Sequence, residues 1–264
     1  MKFVYALIAV SLLASCSKSP TGRSQFAFMS DSRLAEMGAE SFEQMKQQTP
    51  ATKNKQLINF VQCVADEITP NVSKTAHAGD WEVVVFESAD INAFALPGGK
   101  IGVYTGILKL TENQDQLAAI MGHEVAHVIA KHSNERMSSS QAAAGIQALA
   151  GLALGDQDEQ TKKYALTGIG LGLQYGVLMP YGRSHEKEAD IIGQELMAKS
   201  GFDPSAAVDL WHNMAKANKG APPEFLSTHP SHDTRIDKLT KHLAVTNQMY
   251  KQSKQSPECQ KPSV

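Results

Sequence analysis

The chain has 264 residues, 42% of them hydrophobic, and a formal net charge of −2. Its Lys and Arg residues are scattered rather than clustered, so there is no basic footprint and nucleic acid is not an expected partner. The length suits one sizeable globular domain with its own core, and no repeat of tetratricopeptide length follows the central region.

The first element read from the N-terminus is a targeting segment. Lys2 precedes an apolar run from Phe3 to Leu13, followed by Ala14, Ser15 and Cys16. Such a run is too short to span a bilayer and has the form of a signal-peptide core. Small residues before a cysteine form a lipobox, so Cys16 is expected to become the lipidated first residue of the mature protein. The alternative is an ordinary signal peptide with an incidental cysteine. Ser17 follows in place of aspartate, which favours sorting to the outer membrane of a Gram-negative bacterium, and a triacylated anchor would hold the protein there without a transmembrane helix. Residues 1–15 are thus read as signal peptide, 16–30 as a lipidated linker, 31–246 as the functional domain and 247–264 as a polar tail without core signals.

Residues 31–47 and 53–68 read as helices separated by Pro50. With Cys16 lipidated, Cys63 and Cys259 remain, and an even pair in an oxidising compartment suggests a disulfide. The alternative is two free thiols, since Cys63 also fits the apolar face formed by Leu57, Ile58, Phe60, Val61 and Val64. Residues 81–87 are β-prone. Ala93-Phe94-Ala95 and residues 101–104 read as two further strands, joined by the turn signal Pro97-Gly98-Gly99-Lys100.

A helix then starts at Thr111 or Asn113, with Asp115 in its first turn where a negative charge suits the dipole. Leu117, Ile120, Met121, Val125 and Val128 recur at helical spacing and make it a largely buried helix. Within it lie His123, Glu124 and His127. Histidines at i and i+4 project from one face, so their rings can converge on one tetrahedral ion, and Glu124 stands where it can take a proton from an activated water. Buried His and Glu without partners would be costly, and a metal supplies partners. A catalytic zinc needs a third protein ligand. His132 lies about 180° around an ideal helix from His123, and no glycine intervenes to turn the chain back, so it is expected at the surface or behind the ligands. Glu186 and Asp190 are four apart, so one can bind the metal while the other accepts a proton from a ligating histidine. Glu188 falls about 200° from Glu186 and is expected to face solvent.

Between these motifs, residues 138–180 are rich in Ala, Gly and Leu, and residues 156–163 break them into two halves, neither long enough to span a membrane. We expect a helical hairpin with close packing beside the active site, a candidate lid, whose second helix is weakened by Gly168, Gly170, Gly172 and Gly176. Helices are expected again at 203–217 and 233–245.

These landmarks resemble metallopeptidase family 48, the gluzincins, and in particular its periplasmic lipoprotein members. The resemblance runs from about Gly22 to about Leu243 and rests on four segments. They are Asn92 to Gly99, Gly122 to His127, Glu186 to Asp190, and Ser227-Thr228-His229-Pro230 with Arg235-Ile236 after it. It implies a mostly helical α+β fold, a zincin-like domain with a small β-sheet beside the active-site helix. It further implies one zinc per chain on His123, His127 and Glu186, with Glu124 as catalytic acid/base. Asp190 and Arg183 are expected around the ligands, and His229 is expected to approach the site, either capping the metal or stabilising the oxyanion, with Arg183 and Tyr181 as weaker oxyanion candidates. The edge strand at Asn92, Ala93, Phe94 and Ala95 would align extended substrate through its backbone. The resemblance implies polypeptide substrates, namely misfolded or stalled envelope proteins, with the outer-membrane assembly machinery as a further partner. A second reading is a chaperone-like assembly factor with a zinc site closed by His229. A noncatalytic scaffold is disfavoured because Glu124 is intact.

Overall fold

The structure is a computed structural model that describes residues 16–155, 157–217 and 233–263. In chain order its elements are β1 (Cys16–Lys18), β2 (Ser24–Phe26), α1 (Asp31–Gln48), α2 (Lys55–Ile68), β3 (Glu82–Phe86), β4 (Ala93–Leu96), β5 (Lys100–Tyr104) and α3 (Thr105–Leu110). They continue with α4 (Gln114–Ile129), α5 (His132–Ala153), α6 (Glu159–Leu173), α7 (Met179–Lys199), α8 (Ser205–Ala217) and α9 (Asp233–Gln252). The fold is mostly helical with a small three-stranded sheet, as expected, and it adds a two-stranded sheet of β1 and β2. Where one domain was anticipated, the chain divides into two compact units, Met1–Ser30 with Lys131–His185, and Asp31–Ala130 with Glu186–Val264.

The larger unit is built around α4. Asn113 caps this helix, its Oδ1 accepting from the Gln116 N–H at 2.9 Å. Every residue from Gln116 to Val128 is buried, because α2, α8 and β4 all pack against the helix. The sheet has the order β3-β5-β4, with β3 parallel and β4 antiparallel to β5. Alternation along β4 buries Ala93 and Ala95, while Phe94 meets Phe42 and Tyr104 edge to face and stacks on Phe86. The outer edge of β3 is bridged by Ala51, whereas β4 ends the sheet and pairs with no other strand among the described residues. Asn54 caps α2 by accepting from the Gln56 and Leu57 N–H groups, and Leu57, Phe60, Val61, Val64 and Ile68 enter the core.

Cys63 and Cys259 form the expected disulfide across a sequence separation of 196 residues. In the chain-entropy account, closing a loop of that size restricts the unfolded chain by about 5 kcal/mol. The polar tail, which carries no core signal of its own, is tied back to α2 by this pair. Helix α9 runs on to Gln252, Cys259 is buried, and the Gln114 amide donates to the Pro257 carbonyl at 2.9 Å and accepts from the Cys259 N–H at 2.6 Å. The disulfide draws an otherwise polar segment onto the start of α4.

In the smaller unit, residues 16–30 are structured rather than a free linker. Strands β1 and β2 pair antiparallel, Cys16 with Phe26, and the following residues bond to the first turns of α5. The Phe28 N–H donates to Ser138 Oγ, and the Met29 backbone exchanges two bonds with the Asn134 amide. At the centre, the buried Glu135 carboxylate receives both Arg23 guanidinium nitrogens at 2.7 and 2.6 Å, the Gln25 amide at 3.3 Å and His185 Nε2 at 3.0 Å. Burial opposes the charge of Glu135, but the bonds from Arg23 and His185 prevail and lower its pKa from 4.5 to about 2. A depressed carboxylate pKa stabilises the fold fully above the unfolded value and loses that contribution as the pH falls toward the folded one. Glu135→Gln is therefore expected to cost on the order of 3 kcal/mol at pH 7 and less than half of that at pH 3. Denaturant titrations of both proteins at the two pH values measure this, and an unchanged gap contradicts it.

The hairpin expected at 138–180 is present as α5 and α6, although α5 starts earlier, at His132. Gly168, Gly170 and Gly172 are accommodated within α6, and Gly176 falls in the π-helical turn Gln174–Leu178 that follows it. No described helix is long and apolar enough to cross a membrane.

Candidate active site

Helix α4 presents His123 and His127 one turn apart, and α7 brings Glu186 to them. His123 Nε2 lies 3.1 Å from His127 Nε2 and 3.3 Å from Glu186 Oε2, and His127 Nε2 lies 3.6 Å from Glu186 Oε1. All three residues are buried. They are the one group of three or more His, Cys, Asp or Glu side chains among the described residues whose ligand atoms lie within 4.8 Å of one another. Tetrahedral zinc with ligands at about 2.0–2.1 Å has ligand–ligand edges of about 3.3–3.4 Å. The observed separations match that edge, and two imidazole nitrogens with a carboxylate are a zinc donor set, so these residues fit the ion.

The polar surroundings aim and neutralise this set. His123 Nδ1 stands 3.1 Å from Asp190 Oδ1, which directs its other nitrogen at Glu186 and His127. Burial disfavours a charge on His123, but Asp190 and Glu186 outweigh it and raise its pKa to about 9. The cluster therefore attracts positive charge even without a metal. Asp190 is held in turn by Arg235, whose Nε donates to Oδ2 at 2.7 Å and whose Nη2 donates to Oδ1 at 2.5 Å. Burial works against the Asp190 charge, yet Arg235 and His123 keep its pKa below the usual carboxylate range. Arg235 Nη1 also reaches Glu186 Oε2 at 3.3 Å, and the guanidinium lies 3.8 Å from the centroid of the Trp211 ring. One buried cation thus serves two buried carboxylates.

The approach of α7 to α4 depends on two glycines. A Cβ on Gly193 would stand 2.8 Å from the His123 nitrogen, and one on Gly122 would stand 2.8 Å from the Gly193 carbonyl oxygen. Backbone meets backbone at this crossing, which is what carries Glu186 and Asp190 up to His123.

Glu124 is buried one position beyond His123, on the same helix. Several other expected placements need correction. Arg183 is exposed, and the guanidinium that reaches the carboxylates is that of Arg235. Glu188 is buried rather than solvent-facing, because this part of α7 is covered on most of its circumference. His132 is fully buried, its ring stacked 4.2 Å from that of His185, and is not among the three converging donors. The ideal-helix extrapolation failed there because the chain does turn without glycine. Lys131 takes φ 55°, a left-handed conformation that costs a non-glycine residue about 1–2 kcal/mol, and separates α4 from α5. His229, with the rest of Ser227-Thr228-His229-Pro230, and the Tyr181 side chain lie outside the described residues.

Sequence reasoning noted Arg235 as a landmark but assigned it no role, and it missed Gly193 and Trp211. An arginine next to the apolar Ile236 in an amphipathic helix was the available signal for a buried guanidinium.

Residues 51–243 match the family model described as Peptidase family M48. The chain is 41% identical over 165 residues to the mitochondrial metalloendopeptidase OMA1 of Schizosaccharomyces pombe, covering 62% of this chain and 47% of that protein. It is 38% identical over 185 residues to the Saccharomyces cerevisiae protein of the same name, covering 66% and 50%. With the beta-barrel assembly-enhancing protease of Yersinia pestis it shares 28% identity over 220 residues, 81% of this chain and 45% of that one. The chain spans about half the length of these relatives.

Proposed function

The chain belongs to Peptidase family M48, and from that premise we propose that it is a zinc-dependent endopeptidase, anchored as an outer-membrane lipoprotein and cutting polypeptides in the periplasm. The observation that carries the catalytic reading is the convergence of His123, His127 and Glu186 beside Glu124. A zinc ion held by His123, His127 and Glu186 would supply a Lewis acid for the scissile carbonyl and the attacking water. Glu124 would accept a proton from the attacking water and deliver it to the leaving amine. Asp190 holds His123 in the ligating orientation, and Arg235 balances the two carboxylates. We read β4, which packs on α4 and ends the sheet among the described residues, as the strand whose backbone would align an extended segment with little regard to side chains.

Cleavage of an unfolded protein such as casein tests this reading. Hydrolysis that stops with a chelator and returns with zinc supports it; hydrolysis indifferent to chelation refutes it. The substrates are read as misfolded or stalled outer-membrane proteins, in keeping with the name of the Yersinia pestis relative. Comparing the envelope proteome with and without active enzyme identifies them.

The location rests on the apolar run before Cys16 and on the lipobox. Wild-type protein is expected to resist a high-pH carbonate wash of membranes and to carry an acylated N-terminal cysteine by mass. Cys16→Ala is expected to wash off while retaining its peptidase activity in vitro. Carbonate-resistant retention of that variant would point to a protein tether.

A further inference from the structure

The two arms of the hairpin carry apolar side chains that are left exposed among the described residues. Beyond Ser139 no described residue of α5 is buried, and α6 has no buried residue among those described. Ile146, Leu149 and Leu152 on α5, Tyr164 and Leu171 on α6, and Tyr175 in the π-helical turn that follows are between 49% and 78% exposed. Tyr164 and Leu171 stand at i and i+7, within about 20° of one line along α6, and the segment carries a tyrosine at each end. On α5 the three spread over about 120° of the circumference. No charged residue occurs in 137–155 or in 164–182, so the charges of the segment are confined to its ends and to the turn between the arms.

An apolar surface of this extent calls for a partner. Its side chains extend along both helices without any charge that would complement a folded protein. The unit that bears it is also the unit that contains Cys16, the first described residue, in β1. We propose that the α5–α6 hairpin lies flat in the head-group boundary of the bilayer that holds the Cys16 acyl chains. The aliphatic side chains enter the acyl region, the two tyrosines sit at head-group depth, and the charged turn stays in water. Neither arm spans the bilayer. The acyl anchor confines the unit near the surface, which raises the effective concentration of the hairpin there, and the hairpin sets the orientation in which the unit rests. This rests on the lipoprotein reading above for the identity of the membrane, but its test does not use the anchor.

The experiment uses the mature Cys16→Ala chain, purified without detergent, and flotation with excess vesicles of phosphatidylethanolamine and phosphatidylglycerol. The unlipidated chain is expected to float with the vesicles. Adding Leu149→Gln, Leu152→Gln and Leu171→Gln, which preserve helix propensity, is expected to reduce the bound fraction at least about tenfold while hydrolysis of a soluble peptide stays unchanged. An unlipidated chain that stays at the bottom of the gradient overturns the proposal, and so does a triple variant that floats as well as its parent. Absence of flotation together with a concentration-dependent dimer that the triple variant abolishes assigns the surface to a second copy instead. Failure of the anchor reading appears separately, as wild-type protein lacking acylated Cys16.

Discussion

Replacing Glu124 with glutamine is expected to abolish proteolysis while leaving the metal in place. The substitution keeps the shape of a side chain buried one position beyond His123 and removes only its capacity to accept a proton. A positioned general acid–base is worth about 10²–10⁴-fold, so kcat/KM should fall by that factor with the metal content still at one per chain. None of the three donor atoms is touched, so affinity for zinc should be close to wild type. Metal analysis after dialysis, alongside casein and peptide hydrolysis, makes the measurement. Undiminished cleavage by Glu124→Gln would remove it from the mechanism. Loss of metal would instead make it a structural support of the site.

The second large effect is expected at Glu186. Glu186→Gln replaces an anionic donor by a weaker neutral one, and it leaves Arg235 with one buried carboxylate partner in place of two. Zinc affinity should drop by more than about 100-fold, the upper end of what losing a supporting partner costs. Asp190→Asn acts one bond further out, through His123 Nδ1, and should cost about 10–100-fold. Glu188→Gln and His132→Ala serve as controls. Both residues are buried, so these variants are expected to lose stability while holding one zinc per chain. Zinc stoichiometry after dialysis against a weak chelator, with a thermal melt for each variant, separates the two kinds of loss. If Glu188→Gln strips the metal and Glu186→Gln keeps it, the ligand assignment fails.

The legible parts of the site were those set within one helix. The spacing of His123 and His127, the cap at Asn113 and the apolar positions between them all follow from helical geometry over neighbouring residues. The Glu186–Asp190 pair was legible for the same reason. Errors arose where an ideal helix was extended past its neighbours. Glu188 was placed in solvent because the opposite face of a helix is usually wet, yet this stretch of α7 is covered nearly all round. His132 was placed by counting residues from His123, and the left-handed Lys131 reset the count. The tail after Gln252 carries no core signal of its own because its composition is polar, and its packing comes from the disulfide and the Gln114 amide.

By itself the sequence determined which atoms can ligate, since i, i+4 spacing turns two imidazoles to one side whatever surrounds the helix. It also pointed to Glu124 as the candidate proton acceptor beside them and favoured a Cys63–Cys259 pair over two free thiols. Only the tertiary structure decided which carboxylate meets the histidines and which guanidinium meets the carboxylates. Arg235 lies 45 residues from Asp190 in the chain, and local periodicity carries no information about such a pair. The crossing of α4 and α7 at Gly122 and Gly193 settles both, because backbone contact at that point leaves Glu186 and Asp190 within reach of His123.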